Sequence, residues 1–373
     1  MNAAPDANGA ASLPARRLAQ ALRGDLDWIA EEGWEPDAVA ARAIEQGVDL
    51  LLWRTQHDAL PEPLRARLGA RVTAEVARAA VRDRELADVV AALTQGHVDA
   101  VVFKGAALAH TCYATPWLRP RLDTDILVGR QSFDRAAAVL EAAGYGRSPL
   151  VSTGDLVSHQ VAFERMDRIG ASHLLDLHWR VLNPQMLSRI ADADTLLDDA
   201  ASVTLHGVRL RVPAPVWSLV LACAHRLAHH QQEERLIWVH DIHALASRFQ
   251  GEDWESLLRI ARERQVSAIC GDGLGLAAGL LGTKVPAEAA RVLAERGVAE
   301  PSRQYVEGRV RRLDVLRDDL RHLSWPDRLH LLKEHAFPPA AFMRSRYRIE
   351  SGLLLPILYV HRLVTGARGW IRR

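Results

Sequence analysis

The sequence predicts an α+β protein: a small mixed-sheet core over residues 96–212, an N-terminal helical region over 1–95, and a larger C-terminal helical region over 213–373. Three observations lead there. Short β-branched and aromatic runs alternate with helical stretches over about 115 residues from His97 to Val212, the texture of a small mixed α/β unit. Both flanks place apolar residues at three- and four-residue steps, without strand-like runs. The composition of the 373 residues, 49% hydrophobic and 25% charged, excludes a disordered, collagenous or membrane-embedded chain.

The elements follow in order. Met1 to Leu13 is Ala/Asn/Pro-rich, lacks the basic-then-apolar order of a signal peptide, and is expected to be a disordered tail. Leu18, Leu22, Leu26 and Ile29 share a helical stripe, and Pro61 and Pro63 open a long Ala/Arg/Glu-rich helix over Leu64 to Leu93. This flank offers no catalytic pattern. Val98 to Phe103 reads as a buried strand, Ala106 to Tyr113 as a helix, and Asp123 to Val128 as a second strand ending at Gly129. Gln131 to Ala143 is helical. His159 to Glu164 and His173 to Arg180 are further strands, and Val203 to Val212 is a hairpin around His206-Gly207. Helices are then expected at Val216 to His229, Glu234 to Ser247, Trp254 to Glu263, Ala287 to Glu295 and Arg303 to Leu323, with a break at Pro338-Pro339. An apolar-basic segment runs from Leu353 to Arg373.

The chemistry concentrates in Lys104-Gly105, Asp123-Thr124-Asp125 and Asp176. Residues two apart on a strand share a face, so Asp123 and Asp125 present paired carboxylates. Such pairs repel unless a cation neutralises them, and Mg²⁺ takes hard oxygen ligands. Asp176 interrupts the apolar strand Leu174 to Trp179; if that strand adjoins the first, three carboxylates converge and two metal ions fit. Gly105 follows a strand and opens a helix, where bare backbone N–H groups accept phosphate. Lys104, Arg119 and Arg121 are candidate phosphate contacts. The chain has three lysines, Lys104, Lys284 and Lys333, so a lysine beside this turn marks a need for a compact ammonium. His178, two residues from Asp176, and Asp241, on a later helix, are candidates for supporting the site.

Val102 to Ala109, Leu118 to Val128 and Leu175 to Arg180 together resemble the uncharacterised nucleotidyltransferase family, within the DNA polymerase β-like nucleotidyltransferase superfamily. The resemblance continues through His225 and Arg235 to Ile242 to Phe337-Pro338-Pro339 and Phe342 to Tyr347, covering roughly residues 90–365. It is similar to proteins found near lasso-peptide and other peptide-tailoring genes. The resemblance implies a nucleotidyltransferase core over residues 96–212, with Asp123, Asp125 and Asp176 as the catalytic metal triad. It implies two Mg²⁺ ions, with Mn²⁺ as a substitute, a nucleoside triphosphate such as ATP, and pyrophosphate release. The superfamily's usual Gly-Ser is here Lys104-Gly105, and the gap to the first carboxylate is longer, so phosphate contacts do not carry over by position.

Two alternatives stand beside this reading: phosphoryl transfer to a peptide in natural-product tailoring, and a non-catalytic nucleotide- or peptide-binding module. Lys+Arg of 47 against Asp+Glu of 46 supplies no bulk basicity, so a peptide or small-molecule acceptor is expected rather than nucleic acid. Cys112, Cys223 and Cys270 form no CxxC pair, which fits reduced thiols and a cytoplasmic location. No apolar run reaches about 18 residues, so no spanning helix is expected. The C-terminal segment is read as a helix packed on the core in preference to a peripheral membrane contact. His225, His229, His240 and His243 lie at helical spacing compatible with zinc, but no Cys pair or nearby acid completes a set, and structural roles are expected. Trp179, Trp217 and Trp238 are expected to pack the core against the C-terminal helices.

Overall fold

The structure is a computed structural model that describes residues 13–26, 35–148, 154–168, 170–229, 235–295, 300–307, 312–349 and 351–371. The expected disordered tail up to residue 12, Ile29 and Glu234 lie outside the described residues.

Four N-terminal helices come first: α1 (Leu13–Arg23), α2 (Pro36–Glu45), α3 (Asp49–Gln56) and α4 (Glu62–Gln95). The 34 residues of α4 make it about 50 Å long at 1.5 Å per residue. The core then runs β1 (Ala100–Phe103), α5 (Lys104–Thr111), β2 (Asp123–Val128), α6 (Phe133–Ala142), β3 (Gly146–Arg147), β4 (Gln160–Met166), β5 (Ser172–His178), α7 (Gln185–Ser188), α8 (Ala193–Asp198), β6 (Ala201–Leu205) and β7 (Val208–Val212). The C-terminal helices are α9 (Pro215–His229), α10 (Leu236–Ala246), α11 (Gly251–Glu263), α12 (Ser267–Leu281), α13 (Ala287–Ala294), α14 (Arg303–Val306), α15 (Arg312–His322), α16 (Trp325–Ala336), α17 (Ala340–Tyr347) and α18 (Leu355–Ile371).

The five-stranded sheet has the order β1-β2-β5-β4-β3; β2 and β5 run parallel and the other neighbours antiparallel. Strand alternation sorts its side chains. Ile126, Val128, Leu175 and Leu177 pack with Phe133, Ala136 and Leu140 of α6 and with Val89 and Leu93 of α4. Val101, Phe103 and Leu127 face the opposite way, into a larger apolar cluster that includes Leu18, Leu64, Leu219, Ile242 and Leu274 from both flanks. Asp125, two residues before Leu127, and Asp176 and His178, alternating with Leu175 and Leu177, share that second face. The polar site thus sits where the sheet meets the flanking helices.

The expected helices change in several places: α7, α8, α16 and α17 form where none was expected, and two further differences have a physical reason. The stretch Arg303 to Leu323 holds α14 and α15, separated by residues 308–311, which lie outside the described residues. Helix α12 was not expected, because Gly271, Gly273, Gly275 and Gly279 depress helix propensity by about 1 kcal/mol each. Packing explains two of them. A Cβ on Gly273 would sit 2.8 Å from Cys223 Sγ, and one on Gly271 would sit 3.2 Å from Leu293. The glycines let α12 press close to its neighbours.

Candidate active site

The parallel pairing of β2 with β5 sets Asp125 directly opposite Asp176, with Asp123 one alternation upstream. Phe103, the last residue of β1, pairs with Asp125 from the other side. The next residue, Lys104, turns back at φ 51°, the left-handed region that non-glycine residues seldom occupy. This turn starts α5 and aims the lysine across the sheet: Lys104 Nζ lies 2.7 Å from Asp125 Oδ1. His178 Nε2 lies 2.9 Å from the same oxygen. An ionised carboxylate only accepts, so His178 is the Nε2–H tautomer. Gln160 of β4 donates its amide to Asp176 Oδ2. Asp125 Oδ2 and Asp176 Oδ1 keep no protein partner among the described residues.

Electrostatics separates the three acids. Burial opposes ionisation of Asp125, but the Lys104 ammonium and the His178 hydrogen bond outweigh it and hold the carboxyl well below its usual range. Asp176 is pushed up to about 7, by burial and then by the charges of Asp125 and Asp123. Asp123 is exposed at the start of β2, yet burial of its carboxyl within the cleft, and then the charge of Asp125, push it up to about 6. His178 falls to about 4 through burial and the neighbouring Lys104, so it is neutral at pH 7. Among the described residues, Asp125, Asp176 and His178 form the one cluster with metal-ligand geometry, their donor atoms within 4.8 Å of one another. Asp123 lies outside that tight cluster but lines the same cleft.

The cleft holds about 760 Å³. Its floor carries Lys104, Asp123, Asp125 and Asp176; α9 and α10 contribute His225 and Trp238, and α4 contributes Glu75, Arg78 and Arg82. The α4 wall was not foreseen. Glu75 is buried and pairs with Arg78 at 2.8 Å and with Arg82, and Arg82 Nη1 donates to Arg121 O at 2.9 Å. In sequence these residues look like ordinary charges on a solvated helix; only the placement of α4 over the core gives them a role.

Arg119 and Arg121 reach the cleft by different means. The Arg119 guanidinium pairs bidentately with Asp241 of α10, Nε to Oδ1 and Nη2 to Oδ2 both at 2.8 Å, and Nη1 donates to Pro120 O at 2.9 Å. Tyr113 donates to Asp241 Oδ1 at 2.6 Å, and His240 Nδ1 lies 3.1 Å from the Tyr113 hydroxyl. Arg119 therefore ties the loop before β2 to the C-terminal helices. It also lies over Gly105, where an added Cβ would meet its guanidinium at 3.6–3.7 Å. Arg121 is buried beside Asp83, and burial with neighbouring Arg82 lowers it to about 10. Breaking one partner of a buried pair costs about 3–5 kcal/mol. Asp241→Asn is expected to lose stability of that order, measured by urea unfolding; wild-type stability would mean that the pair does not hold the helices to the core.

The remaining histidines and tryptophans take packing positions. His243 Nδ1 meets Thr283 Oγ1 at 2.9 Å, and His225 stacks edge-on against Trp238 at 6.0 Å. The side chain of His229 lies outside the described residues. Trp217 is buried in the larger apolar cluster as expected, but Trp179 packs on Phe133 at 4.8 Å in the cluster between the sheet and α6, not against the C-terminal helices.

The family described as uncharacterised nucleotidyltransferase matches residues 32–282, and the chain belongs to it. No curated protein matches the chain. Among solved structures, the chain is similar to an antigenic nucleotidyltransferase-like protein from Paracoccidioides brasiliensis, at 14% identity and a TM-score of 0.34, over 56% of this chain and 95% of that one.

Proposed function

We propose that the protein is a divalent-metal-dependent nucleotidyltransferase that moves a nucleoside monophosphate from a nucleoside triphosphate to a hydroxyl-type acceptor. The observation that carries this reading is the register of Asp125 opposite Asp176, with Asp123 on the same face and Lys104 beside them. The donor set fits a hard cation: Asp125 Oδ2 and Asp176 Oδ1 have no protein partner among the described residues, and burial, then the neighbouring carboxylates, disfavours the charge on Asp123 and Asp176 without one. Asp123, Asp125 and Asp176 would hold the metal, Mg²⁺ or Mn²⁺, which would supply charge stabilisation at the transferring phosphate.

The chain's own groups do the rest. Lys104 keeps Asp125 ionised and brings an ammonium within reach of phosphate oxygens. Asp176, with Oδ2 held by Gln160, would help deprotonate the acceptor hydroxyl as one of the residues holding the metal. The acceptor oxygen bonds to the α-phosphorus, the bond from the α-phosphorus to the bridging oxygen breaks, and pyrophosphate leaves. His178 and Gln160 hold the two facing acids in place. Incubation with Mg²⁺, peptide and small-molecule hydroxyl acceptors, and triphosphate labelled at the α- or the γ-phosphate tests this. Label from the α position should reach the acceptor. Transfer of the γ label would make the protein a phosphoryl transferase, and no transfer of either would favour a binding module.

A pH dependence follows. Asp123 and Asp176 rise on folding from unfolded values near 4 to about 6 and about 7. Raised acids contribute stability that is fully present below the unfolded pKa and is lost as pH rises through the folded one. The metal-free protein should therefore lose stability as pH rises from about 4 to about 7. Cation binding requires the ionised acids, so the rise in Tm on adding Mg²⁺ should be larger at pH 8 than at pH 5.5. A shift independent of pH, by differential scanning fluorimetry, would contradict the assignment of these acids.

A further inference from the structure

The C-terminal helices carry a surface that the nucleotide reading leaves unused, and it lies beyond the residues that the family matches. On α16, Trp325, Leu329 and Leu332 recur at steps of four and three; on α18, Ile357, Val360 and Val364 recur at steps of three and four. At 100° per residue each set spans about 60° of its helix, a narrow apolar ridge. Ridges like these normally face a core. Here, against the expectation of a C-terminal helix packed on the core, they face solvent: Trp325 is 72% exposed, Ile357 66%, and Leu353, just before α18, 88%. Phe337 and Leu354 are exposed as well.

The helices are held as a unit. Tyr359 donates to Pro338 O at 2.6 Å, and Arg362 lies over the Phe342 ring at 5.5 Å. Glu334 of α16 accepts from the backbone N–H groups of Leu156 at 2.9 Å and Val157 at 3.0 Å, which anchors the unit to the loop before β4. The exposed ridges therefore belong to a structure fixed on the core.

Charge is concentrated at the same end. Residues 325–373 contain nine Lys/Arg against three Asp/Glu, whereas the whole chain carries 47 against 46. Arg344, Arg346 and Arg348 of the α17 end are exposed, and a Cβ on Gly352 would sit 3.0 Å from Arg344 Nη2, one residue from Leu353. Apolar ridges beside an excess of arginine match a bilayer surface of anionic lipid: the apolar side chains enter the acyl boundary and the guanidinium groups meet lipid phosphates. No described helix is long and apolar enough to cross a membrane.

We infer that α16 to α18 form a docking surface for an anionic lipid bilayer, which the protein binds peripherally without spanning it. Cosedimentation of the full chain with vesicles of phosphatidylcholine alone, and of phosphatidylcholine with 30% phosphatidylglycerol, tests this. Binding is expected to the anionic vesicles, at least about tenfold more tightly than to the neutral ones, and to weaken in high salt as the Debye length shrinks. The double variant Ile357→Asp, Val360→Asp should lose binding by about tenfold or more. Both sites are exposed, so it should keep the wild-type circular dichroism and melting temperature. A triple variant, Arg344→Gln, Arg346→Gln, Arg348→Gln, should weaken binding to anionic vesicles and flatten the salt dependence. No binding to either vesicle, or wild-type binding by the double variant, overturns the inference. So does light scattering that shows a dimer which Ile357→Asp, Val360→Asp dissociates, because the ridges would then cover a second copy.

Discussion

Asp125→Ala should abolish nucleotidyl transfer, by about 10³-fold or more, and should also destabilise the fold. The two losses have separate causes. Asp125 is the acid that pairs with both Lys104 and His178, and all three side chains are buried or nearly so. Its removal leaves an ammonium 11% exposed without its carboxylate, and loss of one partner of a buried pair costs about 3–5 kcal/mol. Asp123→Ala and Asp176→Ala should remove activity as fully but leave stability unchanged or slightly raised, since burial, and then the neighbouring carboxylates, disfavours both charges in the metal-free protein. Unfolding curves and initial rates on the three variants separate the roles. Equal destabilisation by all three would contradict the electrostatic ranking, and near-full activity in Asp176→Ala would mean that another acid completes the site.

Lys104→Arg should impair transfer nearly as much as Lys104→Ala. Lys104 lies between Asp125 and His178, with Nζ 2.7 Å from the carboxylate and 3.5 Å from the imidazole. A planar guanidinium needs more width than a compact ammonium. The left-handed backbone at Lys104, worth about 1–3 kcal/mol of strain, persists because this placement is held by its surroundings. Both variants should lower the melting temperature: Lys104→Ala removes the cation beside Asp125, and Lys104→Arg forces a wider group into the same buried space. The deciding quantity is kcat: a charge that stabilises the transition state should cost on the order of 10²-fold when lost. A lysine serving stability alone would leave kcat almost unchanged in Lys104→Ala. Wild-type kinetics in Lys104→Arg would contradict the compact-ammonium argument.

Much of the core was legible because its signals are local. The run Asp123 to Val128 combines acids at one end with three buried apolar residues, Ile126, Leu127 and Val128, and it forms β2 with those bounds. The Pro-marked start and Ala-rich interior of the long helix put α4 within two residues of its expected limits. What the sequence leaves hidden depends on contacts between distant segments. Nothing local says that β2 and β5 pair in parallel with Asp125 opposite Asp176, or that Gln160 reaches from β4 to Asp176 on β5. Asp241 reads as an acid on an apolar helix, and its bidentate partner Arg119 lies more than a hundred residues earlier. The arginines of α4 follow the spacing of any exposed helix, so their place on the cleft wall emerges only with the docking of α4. The glycines of α12 mislead for the converse reason: local propensity opposes the helix and tertiary packing requires it.

The central claim is that the carboxylates of β2 and β5 hold a divalent cation with the nucleotide. Titration of Mn²⁺ followed by electron paramagnetic resonance, with and without a nucleoside triphosphate, measures it directly. The account predicts saturable binding by the wild-type protein at pH 8, tightened by the triphosphate. It predicts at least about a tenfold loss of affinity in Asp176→Asn, whose amide removes the ligand charge while keeping the shape. Mn²⁺ affinity unchanged by Asp176→Asn, or no saturable binding by the wild-type protein, would contradict it.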